Sequence, residues 1–420
     1  MRRTHVGECS QAFDNVTKAR GVNGVRMANE GRDEVRSSAE VDFHRWSFGA
    51  TAGVFTLSGL VGALFGPLLV PLSHHFHVSL STAGESLSAY FFGAVIGIIP
   101  GWQGLRKSTG QRVLVGALLT LGVGLSLSSL ATTWWWFLAG IGLVGLAFGV
   151  LDISLNSLLS RSKPEGRTQR LSVGNAGYGL GSVMAPVILI LAHPTNFRIV
   201  FVALGLVAVF LATGLRGLHA PAQGSDPLQA LAKADPQRRR VMWTFVFGFA
   251  IYVSLEASAS GWMAAHVEGW HFSTSVGSWI TAGFWAGMTV SRSAGSWLHH
   301  QFGTSRLLLG CLGFALLDLG VSSIRPLALV AYPVLGLLLG SVFPMGIIWY
   351  TELSPHDSDG IASLMFATMV GGTLGPALVS VTVAHSGVRI VPAILGLYGL
   401  GAIAVFASAR RFSRPASASA

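Results

Sequence analysis

From Ser47 to Ala409 the chain is a succession of continuously apolar runs about 20 residues long, separated by short polar interruptions. Runs of this length match the roughly 30 Å of hydrocarbon that a helix crosses at about 1.5 Å per residue. Twelve runs are discernible, near 47–72, 82–103, 112–131, 135–160, 170–192, 198–215, 241–265, 275–298, 305–323, 326–350, 360–385 and 388–409. Membrane strands would read as alternating segments of about 10 residues, so the pattern predicts an all-α integral membrane chain. Composition agrees: 51% of residues are hydrophobic and 11% charged, against about 25% charged in a soluble domain.

The net charge of +10 raises the question of a nucleic-acid partner, and the placement of the basic residues answers it. If the N-terminus lies inside, only Arg198, Arg325 and Arg389 of the 28 Lys and Arg fall on the outer side. That asymmetry is the positive-inside signature, so basic charge orients the protein and no nucleic acid is expected. Both termini are expected in the cytoplasm. Cys9 and Cys311 provide no disulfide framework. Residues 1–46 are polar, lack the apolar core of a signal peptide and read as a disordered cytoplasmic arm, within which Met27 is an alternative start.

The polar stretch 216–240 divides the runs into an N-terminal half, 47–215, and a C-terminal half, 241–410, with residues 411–420 as a cytoplasmic tail. The halves echo each other. LRKSTGQRVLVG (105–116) follows the second run and LHHQFGTSRLLLG (298–310) follows the eighth, each with Leu-x4-Gly; GYGLGSVMAP (177–186) and GGTLGP (371–376) place small residues before proline in the fifth and eleventh.

These features resemble the major facilitator superfamily over essentially residues 47–410. The resemblance implies twelve helices in two six-helix halves built from inverted repeats, working as a secondary transporter. A narrower resemblance rests on GVLDISLNSLLSR (149–161), NAGYGLGSVMAP (175–186), YVSLEASASGWMAAHV (252–267) and FWAGMTVSRSAGSWL (284–298), which together resemble the fucose:proton symporter-like branch. The chain departs from the usual pattern at Lys107 and His300, where the superfamily's loop carries Asp in the first half. Some fucose symporters also carry a carboxylate in span one; FGATAGVFTLSGLVGALFGPLLV has none.

Asp152 is the chemical centre of the sequence. An ionised side chain mid-bilayer costs about 2.5–3.5 kcal/mol on insertion scales, so it faces a cavity or a partner. Gly145, Gly149, Asp152 and Asn156 share one helix face, and Asp152 lies nine residues from Arg161, roughly 13 Å inside. Substrate and coupling ions bind at that depth, so Asp152 is the candidate proton carrier and Asn156 a candidate solute ligand. An interhelical packing role for both residues is the alternative. Glu256 is the second proton-coupling candidate, placed in the outer half of span seven with Tyr252 and Ser260 on its face. Tyr252, Trp262, Phe284 and Trp285 are candidate solute contacts, since sugars need polar acceptors beside flat apolar surfaces. In span five, Tyr178 shares a face with Asn175, and the resemblance implies that the asparagine lies near the sugar. Arg292 and Glu352, toward the inner ends of spans eight and ten, are expected to pair as an inner gate in the outward-facing state and to part as the halves rock, with snorkelling to the headgroups as the alternative.

Gly93, Gly97 and Gly101 read as helix packing, and Trp134, Trp135 and Trp136 as an interfacial aromatic belt. Asp318 is expected to snorkel to the surface. His74, His75 and His77 lack acidic or thiol partners nearby, so no metal and no cofactor are expected. HExxH, GxSxG and GxxxxGK[ST] are absent, which argues against an enzyme. The expectation is a monomeric, multi-pass transporter of the cell membrane that imports a sugar or similar small polar solute with protons. A proton-coupled exporter of drugs or metabolites is the alternative, disfavoured because drug antiporters tend to carry GxxxGPxxGG-like glycines in span five; a non-transporting membrane sensor is more remote.

Overall fold

The computed structural model describes residues 45–107, 110–160, 167–193, 196–215, 236–355 and 357–413. The N-terminal arm up to residue 44, the loop from 216 to 235 and the tail from 414 lie outside the described residues. Thirteen α-helices follow in order among them: α1 Arg45–Phe76, α2 Leu80–Arg106, α3 Gly110–Leu130, α4 Trp134–Ser160, α5 Arg167–Ala192, α6 Phe197–Gly214, α7 Pro236–Glu268, α8 Thr274–Phe302, α9 Thr304–Ser322, α10 Ala328–Gly340, α11 Val342–Leu353, α12 Ser358–Ser386 and α13 Val391–Ala409. No strand occurs among the described residues.

Eleven segments are long and apolar enough to cross a membrane, with α10 and α11 counted as one. Large apolar side chains such as Leu191, Ile199, Leu206, Phe314, Leu317 and Leu397 point out of the bundle, as lipid contact requires. Helix α8 falls outside that set although it runs 29 residues; Ser, Thr, Arg292 and two histidines dilute its apolar character. The break between α10 and α11 has a local cause. Pro344 lacks the N–H that would bond the Gly340 carbonyl, and the neighbouring Leu339 carbonyl instead accepts a hydrogen bond from the Tyr252 hydroxyl at 3.0 Å.

The end of the bundle carrying the α1–α2 and α7–α8 turns is termed the far end, and the opposite one the near end. Both far-end turns are made the same way. His77 and His271 adopt left-handed φ values of 54° and 66°, and two residues later Ser79 and Ser273 cap α2 and α8 by accepting from the Thr82 and Val276 amides. His-x-Ser is thus a repeat signal that the hydropathy pattern does not display.

Close approach holds the helices together, because lipid supplies no hydrophobic drive for association between helices. A Cβ on Gly145 or Gly149 would overlap the carbonyl oxygens of Tyr90 and Ala94, so α4 lies directly on α2. A Cβ on Gly336 or Gly340 would overlap the carbonyls of Phe284 and Met288, which places α10 on α8 in the same manner. Gly93 and Gly97 pack on Gly142 and Leu146, as their spacing predicts. Trp135 and Trp136 project outward, but Trp134 turns inward and stacks on Phe137 at 5.4 Å.

These contacts give an expected outcome. Replacing Gly145 by Ala should lower the thermal unfolding midpoint in detergent, at an overpacking cost of about 1–3 kcal/mol. Gly142→Ala should leave it within error, because a Cβ there meets nothing within 4 Å.

Candidate functional site

The candidate site lies between α1, α2, α4 and α5 on one side and α7 and α8 on the other. Asp152 is half-buried on α4, and its neighbour one turn on, Asn156, donates from Nδ2 to Asp152 Oδ1 at 3.0 Å and to the Asp152 backbone carbonyl at 3.0 Å. The carboxylate therefore holds one polar partner from its own helix. Across the site, Arg292 Nη2 donates to Glu256 Oε1 at 3.2 Å, with side chains 30% and 14% exposed.

The expected gate pair is apart in this structure. Arg292 meets Glu256 rather than Glu352, and Glu352, exposed toward the near end, accepts from the Thr304 hydroxyl at 2.8 Å. Glu256 lies 12 residues from the far end of α7 at Glu268, and Arg292 lies 10 residues from the near end of α8 at Phe302, so the long arginine side chain spans the difference in depth.

Tyr178 of α5 stands between the two charged groups, within electrostatic range of Arg292, Glu256 and Asp152. Its ring meets Trp285 of α8 edge-to-face, centroids 6.3 Å apart at 70°. Trp285 is buried, and its Nε1 has no hydrogen-bond partner among the described residues. Asn156, Tyr178, Trp285 and the three charged residues are thus brought into one region.

The other predicted contacts lie elsewhere or are committed. Tyr252 is fully buried beside the Glu256 carboxylate, with its hydroxyl on the Leu339 carbonyl at the break between α10 and α11. Phe284 is fully buried, with its carbonyl under Gly336. Trp262 is buried near the far end, packed against Gly84 of α2. Asn175 is exposed in the near-end part of α5. Asp318 is half-buried, with Oδ2 covered and unpartnered among the described residues, instead of reaching the surface. His75 packs edge-on against Phe76 and Phe197.

Tyr90 of α2 belongs to the region and carries no sequence signal beyond being a tyrosine beside two phenylalanines. Its hydroxyl is buried without a partner among the described residues, and Tyr178 and Asp152 both act on it electrostatically.

Toward the far end the two sets of helices close on each other. A Cβ on Gly66 would overlap the Ser260 carbonyl across α1 and α7. A Cβ on Gly84 of α2 would overlap the Trp262 ring of α7 and the Ser380 hydroxyl of α12.

The Major Facilitator Superfamily model matches residues 51–369. The chain belongs to the Major Facilitator Superfamily. It is accordingly a multi-pass membrane transporter. Among solved structures of this fold, the chain is similar to the fucose:proton symporter of E. coli, with 17% identity, TM-score 0.62, and 88% of this chain and 98% of that one covered. It also superposes on a D-xylose-proton symporter at 16% identity, TM-score 0.68, covering 86% and 96%. A peptide transporter in complex with sulfate gives 12% identity, TM-score 0.74, covering 91% and 97%. At these identities the likeness is one of fold. A curated relative, "Probable anion transporter 6, chloroplastic" of Arabidopsis thaliana, is 29% identical over 180 residues, 41% of this chain. The match spans about a third of that relative's length.

Two outcomes are expected within this superfamily site. Glu256→Gln and Arg292→Gln should each lower thermal stability, and the double variant should lose less than the sum, with a coupling of about 0.5–3 kcal/mol in a double-mutant cycle. Tyr252→Phe should cost about 0.5–1.5 kcal/mol of stability, the value of one hydrogen bond, read as a fall in the thermal unfolding midpoint.

Proposed function

We propose that this chain is a secondary active carrier that imports a sugar or similar small polar solute together with protons by alternating access. The observation that carries the reading is the constellation between the two helix sets: a half-buried carboxylate with an amide on one side, an ion pair on the other, and an aromatic contact between them. In this reading the twelve spans form two six-helix halves with both termini in the cytoplasm. The recurrence of the glycine-packed pairs α2–α4 and α8–α10, and of the His-x-Ser turns, supports the duplication.

Asp152 serves as the proton carrier. Loaded, it is neutral and cheap to move through a low-dielectric passage; unloaded, it is held by Asn156 and the open side of the cavity. Glu256 is held by Arg292, which keeps that carboxylate from remaining an unpaired charge while the halves rock. Trp285 and Tyr178 provide the flat surface that the C–H face of a sugar needs. Closed far-end contacts at Gly66 and Gly84, together with exposed Asn175 in the near part of α5, support a conformation open toward the cytoplasm. A monomer in the cell membrane suffices for this cycle.

An anionic solute is the second reading. The curated relative's printed name and the cavity guanidinium of Arg292 favour it, and the two carboxylates, Asp152 and Glu256, weigh against it.

The test is proton movement in proteoliposomes carrying a pH dye. Hexoses and deoxyhexoses should drive proton uptake into vesicles with the wild-type protein, and Asp152→Asn should abolish it while solute binding persists. Proton movement with inorganic phosphate alone would favour the second reading; sugar-driven protons in Asp152→Asn would remove Asp152 from the coupling role.

A further inference from the structure

Tyr90 is unusual among the buried tyrosines. Tyr252 donates to Leu339, Tyr332 is bonded to His266 at 2.7 Å and Tyr350 to Asp357 at 2.5 Å, whereas the Tyr90 hydroxyl has no partner among the described residues. Leaving such a group unpaired costs about 1–3 kcal/mol, so its position calls for a physical reason.

The ring is fixed. Phe65, Phe91 and Phe148 surround it with centroids at 5.1, 5.2 and 5.2 Å, and its own carbonyl lies under Gly145. The side chain is 2% exposed and cannot swing to another partner. Tyr178 is fixed from the other side, its carbonyl under Gly59 of α1 and its ring against Trp285. The two hydroxyls converge on one place. A Cβ built on Gly62 of α1 would lie 3.4 Å from Tyr178 Oη and 3.6 Å from Tyr90 Oη.

We propose that Tyr90 and Tyr178, together with the open flank of Gly62, form a sub-site that receives one hydroxyl of a neutral polyol solute, and that Gly62 sets the size of the group admitted. This rests on the carrier reading above and deepens it by naming the solute class. Each phenol donates one hydrogen bond and accepts another, which matches a hydroxyl group better than a group that only accepts or only donates. With Asp152 protonated, the remaining charges, Glu256 and Arg292, are paired and sum to zero, so the proton-loaded site favours neither an anion nor a cation. The adjoining Trp285 ring supplies the flat surface for the C–H face. Any residue larger than alanine at position 62 would occupy the space itself.

The experiment is initial-rate uptake into proteoliposomes of a panel of hexoses and their mono-deoxy analogues, for the wild type, Tyr90→Phe and Gly62→Ala. Tyr90→Phe is expected to raise KM for the transported hexose about 5- to 10-fold, the loss of one hydrogen bond, with kcat changed less. The KM of one mono-deoxy analogue, lacking the hydroxyl that meets Tyr90, should be the same in wild type and Tyr90→Phe. Gly62→Ala, whose Cβ fits at ordinary contact distances, should keep the thermal unfolding midpoint and raise KM most for the bulkiest solutes. A uniform loss across all solutes in Tyr90→Phe, or an unchanged KM for the hexose, overturns the sub-site while the carrier reading stands. If the wild type moves no sugar, or moves inorganic phosphate in preference, the solute class and the carrier reading fall together.

Discussion

Close backbone approach at small residues is the constraint on which this structure depends. Helices in lipid gain little by hiding apolar surface from water, so packing and interhelical hydrogen bonds must hold them. Gly145 and Gly149 let α4 rest on the carbonyls of α2. That single contact fixes the Tyr90 backbone and sets the course along which Asp152 follows two turns later. Gly59 does the same for α5 on α1, and so determines where Tyr178 stands.

Upon this framework the charged groups obey a second rule, that an ionised side chain within the bilayer must be met by a partner or by a cavity. The chain follows it differently on the two sides. Asp152 has only an amide from its own helix, a local contact that survives any motion of α4 as a body. Glu256 is bound to Arg292 on a neighbouring helix, and both residues belong to the C-terminal set. Neither contact bridges the two helix sets. Neutral contacts bridge them near the charges, the Tyr178 ring on Trp285 and Gly179 on Thr289, which a sliding or rocking motion can break without parting an ion pair.

The far end is closed by backbone against backbone, as between Gly66 and Ser260, and by aromatic packing of Trp262 at Gly84. Such a seal is made of neutral groups, so parting it exposes no buried ion. The cost of opening is therefore set by packing area and shape, the quantities a solute can offset by binding both sides at once.

The fold was largely legible in the chain. Continuous apolar length determines a membrane helix wherever it occurs, because a backbone in hydrocarbon must bond to itself, and eleven of the twelve runs coincide with segments long and apolar enough to cross a membrane. Helix α8 was recognisable by position despite its polar residues. Asp152, Asn156, Tyr178 and Trp285 could also be picked out, since a carboxylate, an amide or a phenol stands out in an apolar helix. Partnership could not. Whether Arg292 reaches Glu256 or Glu352 depends on how α8 crosses α7 and α11, which hydropathy does not carry. Tyr252 reads as a solute contact until the break after Gly340 provides a carbonyl for its hydroxyl. Tyr90 reads as packing until the fold leaves its hydroxyl beside Gly62. Local composition determines that a helix forms and which side chains are costly to bury. Only the crossing of helices distant in sequence decides where each costly group finds its partner, because that depends on which small residues let two backbones meet.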